Sequence, residues 1–365
     1  MSAKFTPLVS QLPATTPFVG PETLERRRGA PFRIRIGANE SAFGASPKVH
    51  AALTAELERA SWYCDPEHFD LRSALARLHG IERENLVIGE GIDGLLGLVV
   101  RASVAPGEAV VTSAGAYPTF NYHVNGYGGR LVFVPYDVQC RNDVEALVAA
   151  ARREGARLLY LANPDNPSGT FLAADAVAFA LDALPADCLL VLDEAYAEFA
   201  PAGALAPLDA ADPRLIRLRT FSKAHGLAGM RVGYGIATPD VVAAFDKIRL
   251  HFGVGRLSQV AALAALGDAD FAAGVVRAVA AGRRDYEALA ARLGLATIAS
   301  QTNFVAFDLG TAERSQRMVA LLDERGVFVR RPGVAPLDRF VRITVGTPEE
   351  RAGLADALPD ALAAL

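Results

Sequence analysis

The chain has 365 residues, 51% hydrophobic and 21% charged, enough to bury the core of a soluble globular protein with one large domain and a smaller one. Its net charge of −4 is small and its basic residues form no single block, which excludes the electrostatic footprint of a nucleic-acid binder and leaves small molecules as expected partners. Cys64, Cys140 and Cys188 are far apart and fit reduced thiols better than a disulfide framework, and six scattered histidines offer no metal site.

The Pro-rich opening MSAKFTPLVSQLPATTPFVG reads as irregular. It lacks the charged start and long apolar run of a secretory signal, and no apolar stretch later in the chain is long enough to span a bilayer, so a cytoplasmic location without a membrane partner is expected. From about residue 46 to 250, helix-like and strand-like patterns alternate between Gly, Pro, Asn and Asp boundaries, as in βαβ units. The predicted strands are Asn85–Ile88, Ala109–Thr112, Arg130–Val134, Arg157–Ala162, Cys188–Leu192, Leu215–Arg219 and Arg231–Ile236. Their near-continuous Val, Leu and Ile content requires cover on both faces, hence an α/β fold with a mostly parallel seven-stranded sheet sandwiched by helices. Beyond about 255, Ala-rich helical patterns enclose two more strands, Asn303–Phe307 and Phe340–Val345, in an α+β unit. The expected division is an N-terminal arm (1–45) joining the small domain, a large domain (46–252) and a C-terminal small domain (253–365).

Ligands of open α/β sheets sit beyond the carboxyl ends of the strands, and the residues there are unusually polar. Gly89-Glu90-Gly91-Ile92-Asp93-Gly94 leads into the apolar helix LLGLVVRA, presenting free N–H groups and a positive dipole end to an anion. It also spells GxGxxG, but a dinucleotide site wants an acidic residue ending the next strand, which ends instead in Thr112 and Ser113. A plain tight turn is the other alternative. In LLVLDEAYAEF, Asp193 follows four apolar residues, where a carboxylate is costly to bury unless paired. A protonated pyridine nitrogen would be such a partner, and a helix-capping role is the bland reading. In Asn163-Pro164-Asp165-Asn166-Pro167-Ser168-Gly169, two Pro-fixed segments make a rigid loop that aims an amide at the cleft. Lys223, in TFSKAHGLAGMRVG, would ordinarily be a solvated surface residue. Small and hydroxyl neighbours crowd it and Arg231 follows eight positions later, a setting that lowers an amine's pKa and makes it nucleophilic. Ser222 and Arg231 would then serve a phosphate.

The segments GANESAFGASP, WYCDP, GEGIDG, AYPTF, NPDNPSG, LDEAY, FSKAHGLAGMRVGY and VRITVGT follow one another along nearly the whole chain. In these it resembles the fold-type I, class I/II aminotransferases that use pyridoxal 5'-phosphate (PLP), and within them the histidinol-phosphate aminotransferases. The resemblance implies Lys223 as the Schiff-base lysine and acid/base, Asp193 as partner of the pyridinium nitrogen, and Asn166 and Tyr196 as donors to the cofactor's phenolic oxygen. It implies Gly91, Ile92, Asp93, Ser222 and Arg231 around the phosphate and Tyr117 stacked on the ring. Tyr63 would reach the phosphate from a neighbouring subunit, so a homodimer with shared sites is implied. Arg342 would grip the substrate's anionic group, assisted by Arg330 or its neighbour Arg331, with Asn39 and Phe18 also on the substrate side. Phe18 departs from the family, which often carries a Tyr there whose hydroxyl touches the substrate phosphate. The implied reaction is ping-pong transamination between histidinol phosphate and 2-oxoglutarate. Alternatives are a transaminase of aromatic or other amino acids, a PLP decarboxylase of a phosphorylated amino acid, and a non-catalytic PLP-binding protein.

Overall fold

The computed structural model describes residues 4–13, 18–201, 203–208 and 210–365, so Thr15, Thr16 and Pro17 of the TTPFVGPE segment lie outside the described residues. The arm contributes strand β1 (Ile34–Arg35). The large sheet contains β2 (Leu86–Gly89), β3 (Ala109–Ser113), β4 (Arg130–Val134), β5 (Leu158–Ala162), β6 (Leu189–Asp193), β7 (Leu215–Thr220) and β8 (Gly233–Ile236). β2, β3, β5 and β8 are buried at every residue, as their unbroken apolar runs require when helices cover both faces. The strand order is β2-β8-β7-β6-β5-β3-β4, and β8 runs antiparallel to both of its neighbours while the rest of the sheet is parallel.

The smaller unit holds a three-stranded antiparallel sheet of β9 (Thr297–Ile298), β10 (Phe304–Asp308) and β12 (Phe340–Thr344), packed with helices Ala269–Arg292, Ala312–Glu324 and Pro348–Ala363. β1 pairs in parallel with β11 (Val327–Phe328), and the Ile36 carbonyl accepts from the Thr344 N–H, so the arm is stitched to this unit. No single helix among the described residues is long and apolar enough to cross a membrane.

Every predicted strand is present, with three instructive differences. The last strand of the large sheet starts at Gly233 instead of Arg231, because Arg231 has φ +49° after a short 3-10 turn and cannot enter a ladder. β1, β9 and β11, two residues each, have too little local pattern to announce themselves and exist through their partners. The arm is also less irregular than expected, since Pro7–Gln11 and Pro21–Arg28 are helices opened by a proline in the first turn. Helix Arg256–Leu266 buries Ala261, Ala262 and Ala265 beside Val49, Leu71 and Leu86 of the large domain. That helix thus packs with elements of the large sheet although it follows residue 253.

A buried ion cluster joins the two strand ends at the middle of the sheet. Glu194, directly after β6, accepts from Arg217 Nη2 (2.6 Å) and Nε (3.2 Å) and from Arg219 Nε (2.9 Å), both on β7. Arg217 and Glu194 are each only 1% exposed, and Arg217 also donates to the carbonyls of Ala206 and Pro207. Removing the carboxylate would leave the buried Arg217 guanidinium without its counter-charge, so Glu194→Ala should cost about 3–5 kcal/mol in equilibrium urea denaturation. A loss below about 1 kcal/mol would show that the cluster contributes little.

Candidate active site

The carboxyl ends of β5, β6 and β7 and the start of helix Gly91–Ser103 open into two adjoining cavities of about 290 and 690 Å³, which share Tyr117, Asn166, Tyr196 and Lys223. Lys223 stands at their junction because β7 ends three residues before it and Thr220 turns the chain: its hydroxyl donates to Ser222 Oγ (2.9 Å) and accepts from the Ser222 N–H (3.1 Å). Gly226 closes the same loop at φ +70°, where a Cβ would collide with the Gly44 carbonyl. Lys223 Nζ donates to the Asn39 carbonyl (3.1 Å) and lies over the Tyr196 ring. Burial, reinforced by the positive charge of Arg342, brings the amine down to about 8.

In the inner chamber, Asp193 Oδ2 accepts from the Tyr160 hydroxyl (2.7 Å) and Oδ1 from the Ala195 N–H (3.0 Å). Both donors are neutral, and burial pushes the carboxyl up to about 6. Asp193 thus lacks a bonded cation on the side facing the chamber. At the opposite end, helix Gly91–Ser103 has no side-chain cap, so its first N–H groups at Gly91, Ile92 and Asp93 are open to an anion. Gly91 has φ +70°, and a Cβ there would press on the Arg231 guanidinium. Arg231 donates to Asp93 Oδ2 (3.2 Å) and lies 3.5 Å from Ser222 Oγ, while Tyr117 donates to Asp93 Oδ1 (2.8 Å). A chamber with an unmatched carboxyl at one end, anion donors at the other and an amine between them fits a cofactor that carries a basic ring nitrogen, a phosphate and a carbonyl.

In the outer cavity, Arg342 donates to Asn166 Oδ1 (2.6 Å) and its Nε is buried without a partner. Asn166 keeps its Nδ2 protons to donate. Tyr196 accepts from Asn39 Nδ2 (3.0 Å), retaining its own proton, and burial raises it to about 12. Asn39 also accepts from Thr344 Oγ1 (3.0 Å), so its amide is committed to holding Tyr196 and the small unit. Arg330 donates to the Val19 carbonyl (2.6 Å) between the rings of Phe18 and Phe328, whereas Arg331 turns to the Asp338 carbonyl (3.2 Å); Phe18 and both arginines line the cavity. Tyr63 is absent from both cavities. It is 80% exposed, with its ring against Phe252.

Sequence reasoning did not find Tyr160, which holds Asp193 and stacks on Phe120 at 4.4 Å between ring centroids. The available signal was its hydroxyl within the apolar run LLYLA, since a buried phenol needs a partner.

The family described as Aminotransferase class I and II matches residues 33–358, and the chain belongs to that family. Among its relatives, a histidinol-phosphate aminotransferase of Roseiflexus castenholzii is 39% identical over 366 residues, covering 97% of each chain. Another, histidinol-phosphate aminotransferase 2 of Ralstonia nicotianae, is 39% identical over 339 residues, 90% of this chain and 89% of that one. The crystal structure of histidinol-phosphate aminotransferase from Sinorhizobium meliloti in complex with pyridoxal-5'-phosphate superimposes with a TM-score of 0.96. It is 50% identical and covers 100% of this chain and 99% of that one.

Lys223 is harder to protonate in the folded protein than in the unfolded chain. In the unfolded chain it protonates near 10.5 and in the folded protein near 8, so its burial opposes folding fully below pH 8 and not at all above 10.5. In protein free of small molecules, Lys223→Met should raise the urea midpoint at pH 7, and the gain should shrink as pH rises from 8 to 10.5. A gain that grows with pH would contradict the assigned sign.

Proposed function

We propose that the protein is a PLP-dependent aminotransferase that moves the amino group of histidinol phosphate to 2-oxoglutarate. The observation that carries the proposal is the inner chamber's pattern of unmet groups: Asp193 without a bonded cation, an uncapped helix start beside Ser222 and Arg231, and Lys223 between them. When bound, PLP supplies an electron-withdrawing ring that stabilises negative charge at the substrate's Cα.

This chain's own residues do the rest. Asp193, oriented by Tyr160, holds a proton at the ring nitrogen, and the cation would return its raised carboxyl toward the ionised form. Asn166 Nδ2 and the Tyr196 hydroxyl donate to the phenolic oxygen. The N–H groups of Gly91, Ile92 and Asp93, with Ser222 and Arg231, bind the phosphate, and Tyr117 covers the ring. Lys223 Nζ, its pKa lowered to about 8, would take the proton from the substrate's Cα and pass it to the cofactor's carbonyl carbon, two bonds away. Arg342 meets the substrate's anionic group with its unpartnered Nε, and Arg330 is the second cation at that end.

Tyr63 is exposed with its ring against the exposed Phe252, and Trp62 and Leu250, close to them in the chain, are exposed as well, which suits an interface between two copies of the chain. In the homodimer it contacts the cofactor phosphate of the neighbouring site. Three free, buried cysteines suit a reducing, cytoplasmic setting.

Mixing the PLP-loaded protein with histidinol phosphate, phenylalanine, tyrosine, leucine or glutamate and following the visible cofactor band tests the donor. Histidinol phosphate should bleach the band fastest, and a clear preference for aromatic amino acids would select the second reading, an aromatic transaminase. Lys223→Ala should lose the band of the lysine-linked cofactor and at least about 10³-fold in turnover. A wild-type protein that never acquires the band after soaking with PLP would overturn the proposal.

Two further variants separate the binding roles. Arg342→Met should raise KM for the anionic substrates about 10- to 100-fold. Tyr63→Phe should release PLP faster on dialysis, and unchanged retention in a dimer would remove Tyr63 from the phosphate.

A further inference from the structure

Most polar side chains around the outer cavity already have a protein partner. Tyr117 donates to Asp93, Tyr196 accepts from Asn39, Arg330 and Arg331 donate to main-chain carbonyls, and Asn166 accepts from Arg342. Two buried atoms do not: Arg342 Nε and Asn121 Oδ1. The first is explained by an anionic substrate, whereas the second has no role in the reading above.

Asn121 lies on helix Pro118–Gly126, which Tyr117 precedes, so it is one turn from the residue that covers the cofactor ring. Its helix offers no reason for it. Asn is a poor helix former, and here its side chain makes no local backbone bond of the kind that places Asn at caps and turns. The cavity beside it is walled by Phe18, Phe133, Val334, Pro118 and Pro332, with Phe18, Phe133 and Val334 at least 40% exposed toward solvent. The Asn121 carboxamide, with its oxygen unpartnered, thus lines the same cavity as Arg342 and these apolar side chains.

We propose that Asn121 is a specificity-determining residue that hydrogen-bonds the heteroaromatic ring of the amino donor and selects an imidazole over a phenyl group. The inference rests on the aminotransferase reading of the site. A carboxamide carries both an acceptor and donors, and a neutral imidazole carries one N–H donor and one acceptor nitrogen, so the match holds for either tautomer. A phenyl ring offers neither and leaves the buried amide oxygen unpaired. Loss of such a bond discriminates more sharply than a change in apolar area does.

The test compares kcat/KM for histidinol phosphate and for phenylalanine in wild-type and Asn121→Leu holoenzyme. The histidinol phosphate value should fall about 10- to 100-fold, chiefly through KM, while the phenylalanine value holds or rises and the visible cofactor band is unchanged. Equal losses on both substrates, or none on histidinol phosphate, would overturn the assignment. Asn121→Asp guards against a folding defect because it keeps the shape and replaces the amide by an anion. Its kcat/KM for histidinol phosphate should shift toward lower pH, following the imidazolium form that titrates near about 6.5, with no such shift for phenylalanine. Identical pH profiles for the two substrates would count against contact with the ring. If wild-type protein ignores histidinol phosphate yet transaminates other amines, the substrate reading fails; if it uses histidinol phosphate and Asn121→Leu leaves the substrate ratio unchanged, only the role of Asn121 fails.

Discussion

The arrangement depends on one constraint: Glu194 must be held between Arg217 and Arg219 where the carboxyl ends of β6 and β7 meet. Side chains alternate along a strand, so Glu194 points away from the chamber that its neighbour Asp193 enters. Arg219 likewise leads into Thr220, whose hydroxyl turns the chain toward Ser222 and Lys223. A buried carboxylate with two guanidinium partners tolerates little relative movement of the two strand ends. The distance between the carboxyl that would meet a ring nitrogen and the amine that would meet a carbonyl is thereby set from behind the site.

Around that clamp the cleft divides by what is left unsatisfied. The inner chamber exposes a carboxyl without a bonded cation and an uncapped helix start without an anion, charges of opposite sense at its two ends. The outer cavity presents an arginine nitrogen and a neutral amide oxygen that have no protein partner. Asn39 ties the two together. At φ +57° it presents its carbonyl to Lys223, its amide N–H to Tyr196 and its amide oxygen to Thr344 of the small unit. A shift of the small unit that carries Arg342 would be felt directly at the lysine and the phenol.

Much of this was legible because function here sits at strand ends, and strand ends are where apolar runs stop. Asp193, Asn166 and Lys223 each follow a run of buried residues, which is why one sequence could nominate them and why the seven large-sheet strands were found within two residues. What stayed hidden had no local pattern. Tyr160 sits inside an apolar run and shows its role only when β5 and β6 lie side by side. Asn121 looks like any polar helix residue until the cavity beside it is seen, and the two-residue strands β1, β9 and β11 depend on partners distant in the chain.

By itself the sequence determined the α/β class, the order of the large-sheet strands along the chain and the residue types waiting at their ends. These follow from periodicity and from the cost of burying a charge, both local properties. Only the tertiary structure decided which groups face one another: Tyr160 against Asp193, Asn166 against Arg342, Arg330 against Phe18 and Val19, and Arg231 bent out of its strand toward Asp93. The reason is that partnership between side chains far apart in the chain is set by packing, and packing is a property of the whole fold.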